Sequence, residues 1–130
     1  MPAAMLLTLG ATTASHAQDR MRAGMWQNTV IVGGQTITRS TCMSADSAAS
    51  SNVSPAVYRA AIETALRGKC KLTDFKMDAT TKNETMVCGA ATIRNETTFH
   101  GGDAMDTTTT RTIGGVVNVT HLKGRRTGDC

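Results

Sequence analysis

Apolar and polar residues alternate over short stretches bounded by glycine pairs, a pattern typical of antiparallel strands. The first example is "GMWQNTVIVGGQTITRSTC", where two β-rich runs flank Gly33-Gly34. A Gly-Gly pair readily adopts the positive φ angles that a two-residue hairpin loop requires. With this loop Val30 faces Ile37 and Trp26 faces Thr41. One side of the hairpin is then predicted to be the first core surface, formed by Trp26, Val30, Val32 and Ile37.

One segment has a helical period instead. In "PAVYRAAIETALR" the side chains of one stripe are Val57, Ala61, Ile62 and Leu66, with Tyr58 beside them. Ser54 can cap the first turn, Pro55 is tolerated at the first helical position, and Gly68 suits the end. The pattern predicts a helix near residues 55–67. The preceding "MSADSAASSNV" has no apolar period and is predicted to be a loop.

The strand pattern resumes after the helix. "KCKLTDFKMDATTKNETMVCGAATIR" contains two β-rich runs, and three more follow, broken at Gly101-Gly102 and Gly114-Gly115. The fold class predicted is mainly β with one helix (α+β). We expect five to seven antiparallel strands in a curved sheet or partly open barrel, with the helix packed over one end.

Four aromatic residues in 130 make a small core, which usually requires covalent support. Four cysteines can provide it. With a hairpin loop at residues 78–80, Cys70 faces Cys88 and Leu72 faces Met86, which adds Leu72 and Met86 to the predicted core. Three connectivities remain open from sequence alone. We predict the disulfides Cys70–Cys88 and Cys42–Cys130, the second of which would hold the last strand in place.

The first residues, "MPAAMLLTLGATTASHA", combine an apolar run with a small-residue cleavage site. They predict a signal peptide at residues 1–17, which leaves residues 18–130 as a single domain. No basic residue precedes the apolar run, so we expect the true start to lie upstream. The alternative is that residues 5–9 form a first core strand. No stretch is long enough to span a membrane, and disulfides with export indicate a periplasmic or secreted protein.

The net charge of +4 is spread along the chain except in "LKGRRTGD". Lys123, Arg125 and Arg126 are therefore candidate anion contacts, although a solvated strand end would have the same composition. The chain lacks the dense basic stripe with interleaved aromatics that nucleic-acid-binding proteins carry, so we do not expect nucleic acid as a partner.

No metal or cofactor is expected, because the cysteines lack the close spacings of a zinc site. Five methionines (Met25, Met43, Met77, Met86 and Met105) could bind copper(I), but methionine more often fills gaps in a core. We do not expect an enzyme. A hydrolase that uses His100 or His121 stays open as an alternative. A histidine hydrogen-bonded to a carboxylate in a cleft would favour it.

The segments "RAGMWQNTV", "TCMSADSA" and "KCKLTDFKM" and the terminus "GRRTGDC" together resemble domain-of-unknown-function family 3617, a bacterial family of small periplasmic proteins. The resemblance covers roughly residues 23–130. It implies export, disulfides and a curved antiparallel sheet, and it implies no catalytic residues. The chain departs from the family pattern at the firm helix in "VSPAVYRAAIETALRG".

These observations favour a non-enzymatic binding module for a small apolar or lipid-like ligand, held by the sheet, with the basic terminus meeting its head group. The alternative is an envelope protein that binds a partner chain by strand addition. For that alternative the candidate edge strand is "MDTTTTRTIGG".

Overall fold

A computed structural model describes residues 19–130. The predicted signal peptide lies outside the described residues. Seven strands and two helices follow in chain order: β1 (Gly24–Val32), β2 (Gln35–Met43), α1 (Ala45–Ser51), α2 (Pro55–Leu66), β3 (Lys71–Met77), β4 (Thr81–Cys88), β5 (Ala91–His100), β6 (Ala104–Ile113) and β7 (Val116–Gly128).

All seven strands form one unclosed antiparallel sheet in the order β2-β1-β7-β6-β5-β4-β3. Strands β3 to β7 follow one another as neighbours, and the N-terminal hairpin joins the far side through the pairing of β1 with β7. Strands β2 and β3 are therefore the two edges. The chain crosses from one edge to the other through α1 and α2.

The first hairpin has the register that its sequence predicts. Val30 lies opposite Ile37 and Trp26 opposite Thr41, and the loop glycines have φ angles of +54° and +78°. Leu72 also lies opposite Met86 as predicted, but a bulge then shifts the pairing, so that Met77 faces Lys82. The helix predicted near residues 55–67 is α2, capped by the Ser54 hydroxyl, which accepts a hydrogen bond from the amide of Val57.

The prediction of a single helix is wrong. The segment expected to be a loop contains α1, which begins after Ser44, whose hydroxyl accepts from the Ser47 amide at 3.1 Å. Asp46 lies in the first turn, where its charge complements the helix dipole. Only Ala48 of this helix is buried. Because α1 buries only one small side chain, its sequence has no repeating apolar positions. The helix could therefore not be predicted from the pattern.

The buried core is small and lies at one end of the sheet. Trp26, 1 % exposed, packs with Met21 and Phe99, and Met43 and Met105 lie against them. The Trp26 indole donates to the carbonyl of Arg22 at 2.9 Å. Met43 and Met105 therefore fill space in a core that has few aromatic side chains.

The predicted core surface is correct at Trp26 only. Val30, Leu72 and Met86 are half-buried, and Ile37 is 50 % exposed, so its assignment to the core is wrong. Val32, which directly precedes the hairpin loop, is 47 % exposed. The reason is the position of the core, which forms at the opposite end of the hairpin.

The candidate edge strand is also corrected. "MDTTTTRTIGG" forms most of β6, which pairs with β5 on one side and β7 on the other along its whole length. It is an interior strand, since threonine suits a half-buried pleated surface as well as an exposed edge.

Both disulfides have the predicted partners. Cys70 bonds to Cys88 across the β3–β4 hairpin, and Cys42 at the end of β2 bonds to Cys130 after β7. Strand β1 separates β2 from β7 in the sheet, so the second disulfide ties together three strands.

Candidate functional site

The strand register divides the side chains between two faces. Residues directly opposite each other on neighbouring strands point to the same face. The face that carries Trp26, Phe99 and Met105 is called the core face here. The opposite face, which carries His100, Lys123 and Arg125, is called the open face.

A row of polar side chains crosses the core face. Glu84, Asn95, Thr109 and Thr120 lie opposite one another on β4, β5, β6 and β7. The Asn95 amide donates to Glu84 Oε1 at 3.1 Å, and the Thr109 hydroxyl donates to the Asn95 carbonyl oxygen at 2.7 Å. This row is called the polar band. Most polar groups in it are satisfied by their neighbours.

Glu84 is the exception in the polar band. Its side chain is 8 % exposed, and its Oε2 atom is buried without a hydrogen-bond partner. The Lys82 ammonium lies 3.8 Å from the other oxygen, Oε1. An unsatisfied buried acceptor costs about 1–3 kcal/mol, and more when it is charged. Glu84 therefore keeps a free acceptor in the sheet interior at the expense of stability.

Helix α2 covers this end of the polar band. Lys82 Nζ donates to the Tyr58 hydroxyl at 3.1 Å, and the Tyr58 ring stacks on Phe75 with centroids 6.2 Å apart. Tyr58 is half-buried, whereas Val57, which the helical pattern placed on the packing stripe, is exposed. The packing face of α2 is thus rotated towards Tyr58.

Apolar side chains lie on both sides of the polar band and remain partly open. Val30 and Leu122 lie opposite each other and are half-buried, as is Ile93 beside the band. The exposed members of this set are Val32, Ile37, Ile113 and Val116. The core face thus combines the buried carboxylate of Glu84 with solvent-exposed apolar side chains. This arrangement suits a molecule with one polar end.

The open face contains a hollow of about 570 Å³. Its lining comes from four adjacent strands and consists of Gln27, Thr29, His100, Ala104, Asp106, Lys123, Gly124 and Arg125. His100 Nε2 and Asp106 Oδ2 are 3.0 Å apart, and both side chains are about half exposed. This hollow is called the open-face pocket.

The three candidate anion contacts do not act together. Lys123 and Arg125 line the open-face pocket. Arg126 points to the core face, where its Nε donates to the carbonyl of Ala23 at 2.7 Å and its Nη2 pairs with Asp129 at 2.6 Å. Alternation along β7 separates them. Lys123 and Arg125 thus point away from the core face, and contact between the basic terminus and a ligand head group stays a prediction.

Both histidines that the sequence left open for a hydrolase lie on the open face. His121 contacts the Thr108 hydroxyl at 3.2 Å. The His100–Asp106 pair is the arrangement that would favour a hydrolase. Thr29 lines the same pocket, and Thr98 lies opposite Asp106 on the same face. All four cysteines are in disulfides. Within residues 19–130 no cluster of three metal-binding side chains occurs, and no helix is long and apolar enough to cross a membrane.

Sequence reasoning missed Glu84, although a signal was present. Met86 was assigned to the core, and Glu84 is two residues earlier on the same strand, so alternation places it on the same face. A carboxylate at a predicted core position is unusual enough to mark a functional group.

Comparison with known proteins yields a family and nothing finer. No curated protein and no solved structure is significantly similar to the chain. The family model described as "Protein of unknown function (DUF3617)" matches residues 21–130, which include all seven strands and both disulfides. The chain therefore belongs to the DUF3617 family.

Proposed function

We propose that this protein is a non-enzymatic binding module that holds a small amphipathic, lipid-like ligand on the core face. The polar end of the ligand lies at the polar band, and its apolar part covers the exposed side chains near the hairpin tips. The same proposal places the protein in the periplasm or outside the cell, since two disulfides are consistent with an oxidising compartment.

The observation that carries the proposal is the free oxygen of Glu84. Among the buried and half-buried residues of 19–130, Glu84 Oε2 is the one side-chain nitrogen or oxygen atom that is closed to water and lacks a hydrogen-bond partner. A ligand O–H or N–H donor would satisfy this oxygen once the side chains that cover it move aside. Because Lys82 already balances the carboxylate charge from 3.8 Å, a neutral donor such as a hydroxyl suits the position. A ligand carboxylate would be repelled.

The affinity expected for the apolar part of the ligand depends on the exposed area of the side chains that it would cover. Val116 is 62 % exposed, and Val32 and Ile37 are about half exposed, although all three are on the core face. Burying one such side chain in full stabilises by about 1.5–3 kcal/mol. Partial coverage of several of them by an alkyl chain is enough for measurable affinity.

The test is a displacement assay with a fluorescent apolar probe, N-phenyl-1-naphthylamine. We expect the probe to bind, dodecanol to displace it, and dodecanoate to displace it at least tenfold less well. Glu84→Gln replaces the free acceptor by a donor, so the preference for dodecanol should disappear. Glu96→Gln is the matched control, because Glu96 is on the open face and pairs with Arg94.

Two results would count against the proposal. Absence of probe binding would refute a ligand site on the core face. Equal displacement by alcohol and acid, unchanged in Glu84→Gln, would show that an apolar site exists but that Glu84 does not select its ligand.

A second candidate function is strand addition at β2. This strand pairs with β1 alone, and every residue from Gln35 to Cys42 is exposed. An edge of nine residues with free backbone groups can accept another strand. In a two-residue hairpin the residues that flank the loop bond to each other, so alternation directs the amide of Ser40 away from β1. Ser40→Pro would remove this free edge donor, and a loss of partner binding or self-association without unfolding would support this function.

A further inference from the structure

We propose that the open-face pocket is a second binding site, independent of the core face, for a phosphate group. The site is made by Arg125, Lys123 and His100 around Ala104.

The strand register explains why a hollow forms there. Gln27, Arg125, Ala104 and His100 are directly opposite one another on β1, β7, β6 and β5. Arg125 and His100 are therefore two strand spacings apart, roughly 10 Å. The residue between them is alanine, whose methyl group leaves a space between two long side chains. The pocket of about 570 Å³ is centred on this row and the adjacent one.

The charges around the pocket are not balanced internally. Lys123 lies opposite Asp106 on the neighbouring strand, yet Asp106 bonds to His100 at 3.0 Å. Among residues 19–130, neither the Lys123 ammonium nor the Arg125 guanidinium has an ion-pair or hydrogen-bond partner. Two cations therefore line one hollow without a protein anion of their own.

The direction of the donors favours phosphate over carboxylate. Arg125 can donate two parallel hydrogen bonds to one edge of an oxyanion. Gln27 approaches from β1, and Lys123 lies two residues before Arg125 on β7 itself. A tetrahedral phosphate has oxygens on all these sides, whereas a planar carboxylate has two. The ligand class is thus a phosphate ion or a phosphomonoester.

The site does not depend on the ligand proposed for the core face. Lys123 and Arg125 alternate along β7 with Leu122 and Gly124, which belong to the opposite side of the sheet. A molecule in the open-face pocket therefore does not contact Glu84, and each site can be tested with the other intact.

The experiment is a heteronuclear NMR titration of the oxidised protein with inorganic phosphate and, separately, with acetate. We expect saturable shifts confined to β1, β5, β6 and β7 around Ala104, with phosphate binding at least tenfold more tightly than acetate. Arg125→Gln should weaken phosphate binding about tenfold or more, equivalent to 1.4 kcal/mol. Ala104→Leu fills the hollow without changing charge and should weaken it as well.

The control is Arg111→Gln. Arg111 is exposed on β6 but alternates to the core face, so this variant loses the same charge from the same sheet. If Arg111→Gln weakens phosphate binding as much as Arg125→Gln, the effect is one of net charge and the proposed site is refuted. Non-saturable shifts in the unmodified protein would refute it without any variant.

The source of the phosphate group is decided by a second arm. Phosphatidylcholine vesicles with and without phosphatidic acid are compared with glycerol phosphate. Binding to phosphatidic acid vesicles that depends on Arg125 identifies a membrane surface as the source. Binding to glycerol phosphate alone identifies a soluble phosphomonoester. Binding to neither contradicts the proposal.

Discussion

The two disulfides close loops of different length, and their removal should cost different amounts of stability. Cys42 and Cys130 are 88 residues apart, whereas Cys70 and Cys88 are 18 apart. On the chain-entropy model, a disulfide that closes a loop of 18 residues stabilises the protein by about 3 kcal/mol. This stabilisation grows with the logarithm of loop length. The shorter loop lies inside the longer one and reduces its effective length. The variant Cys42→Ala/Cys130→Ala should therefore lose about 1.2 kcal/mol more than Cys70→Ala/Cys88→Ala.

The assay is equilibrium unfolding in urea, followed by the fluorescence of Trp26, the single tryptophan. Each double variant is compared with the oxidised protein, and the slope of the transition is checked for constancy. The reasoning would be refuted if removal of Cys70–Cys88 cost as much as removal of Cys42–Cys130. The short crosslink would then act through native packing and not through the unfolded chain.

Three further predictions concern single side chains. A Cβ at Gly124 would lie 3.0 Å from Asn28 Oδ1 and 3.1 Å from Met105 Cγ, so Gly124→Ala should destabilise by about 1–3 kcal/mol and disturb the near-ultraviolet circular dichroism of Trp26; an unchanged melting temperature would contradict this. Tyr58→Phe removes the hydrogen bond from Lys82 Nζ but keeps the ring on Phe75, and we expect a loss of about 1 kcal/mol in urea unfolding, with Arg59→Gln on the exposed side of α2 as control. The backbone amides of Thr80 and Thr81 donate to Asp78 and lower the pKa of its carboxyl below the ordinary 3.8; its contribution is complete above that value and is lost as pH falls through the lowered pKa, so Asp78→Ala should unfold more easily at neutral pH and differ less from the parent protein in strong acid.

Local patterns predicted the elements of this fold whose determinants are close in sequence. Gly33-Gly34 sets the register of the first hairpin because a two-residue loop allows one pairing. Ser54 and Pro55 mark the start of α2 because they satisfy or remove donors in the first turn. The Cys70–Cys88 disulfide followed from the same kind of argument, since both cysteines belong to one hairpin.

Features that depend on distant pairing were not predictable in this way. No local pattern shows that β1 pairs with β7, about a hundred residues later, and this pairing decides that β2 and not β6 is an edge. The same pairing decides which end of the hairpin is covered, and hence why Trp26 is buried while Ile37 is exposed. Lys123 and Arg125 lie on the opposite face from Arg126 because β7 continues through the basic cluster. Predicting this separation would have required knowing that the cluster is part of a strand.

The nested order of the disulfides has a consequence for how the protein matures. A chain that enters an oxidising compartment N-terminus first presents Cys42 and then Cys70 before either native partner has arrived. An oxidant that joins cysteines in order of appearance makes Cys42–Cys70, and the correct bonds then require attack on this disulfide by a later thiolate. In such a compartment we expect a disulfide isomerase to raise the yield of the native protein, because a chain that keeps Cys42–Cys70 cannot tether its last strand.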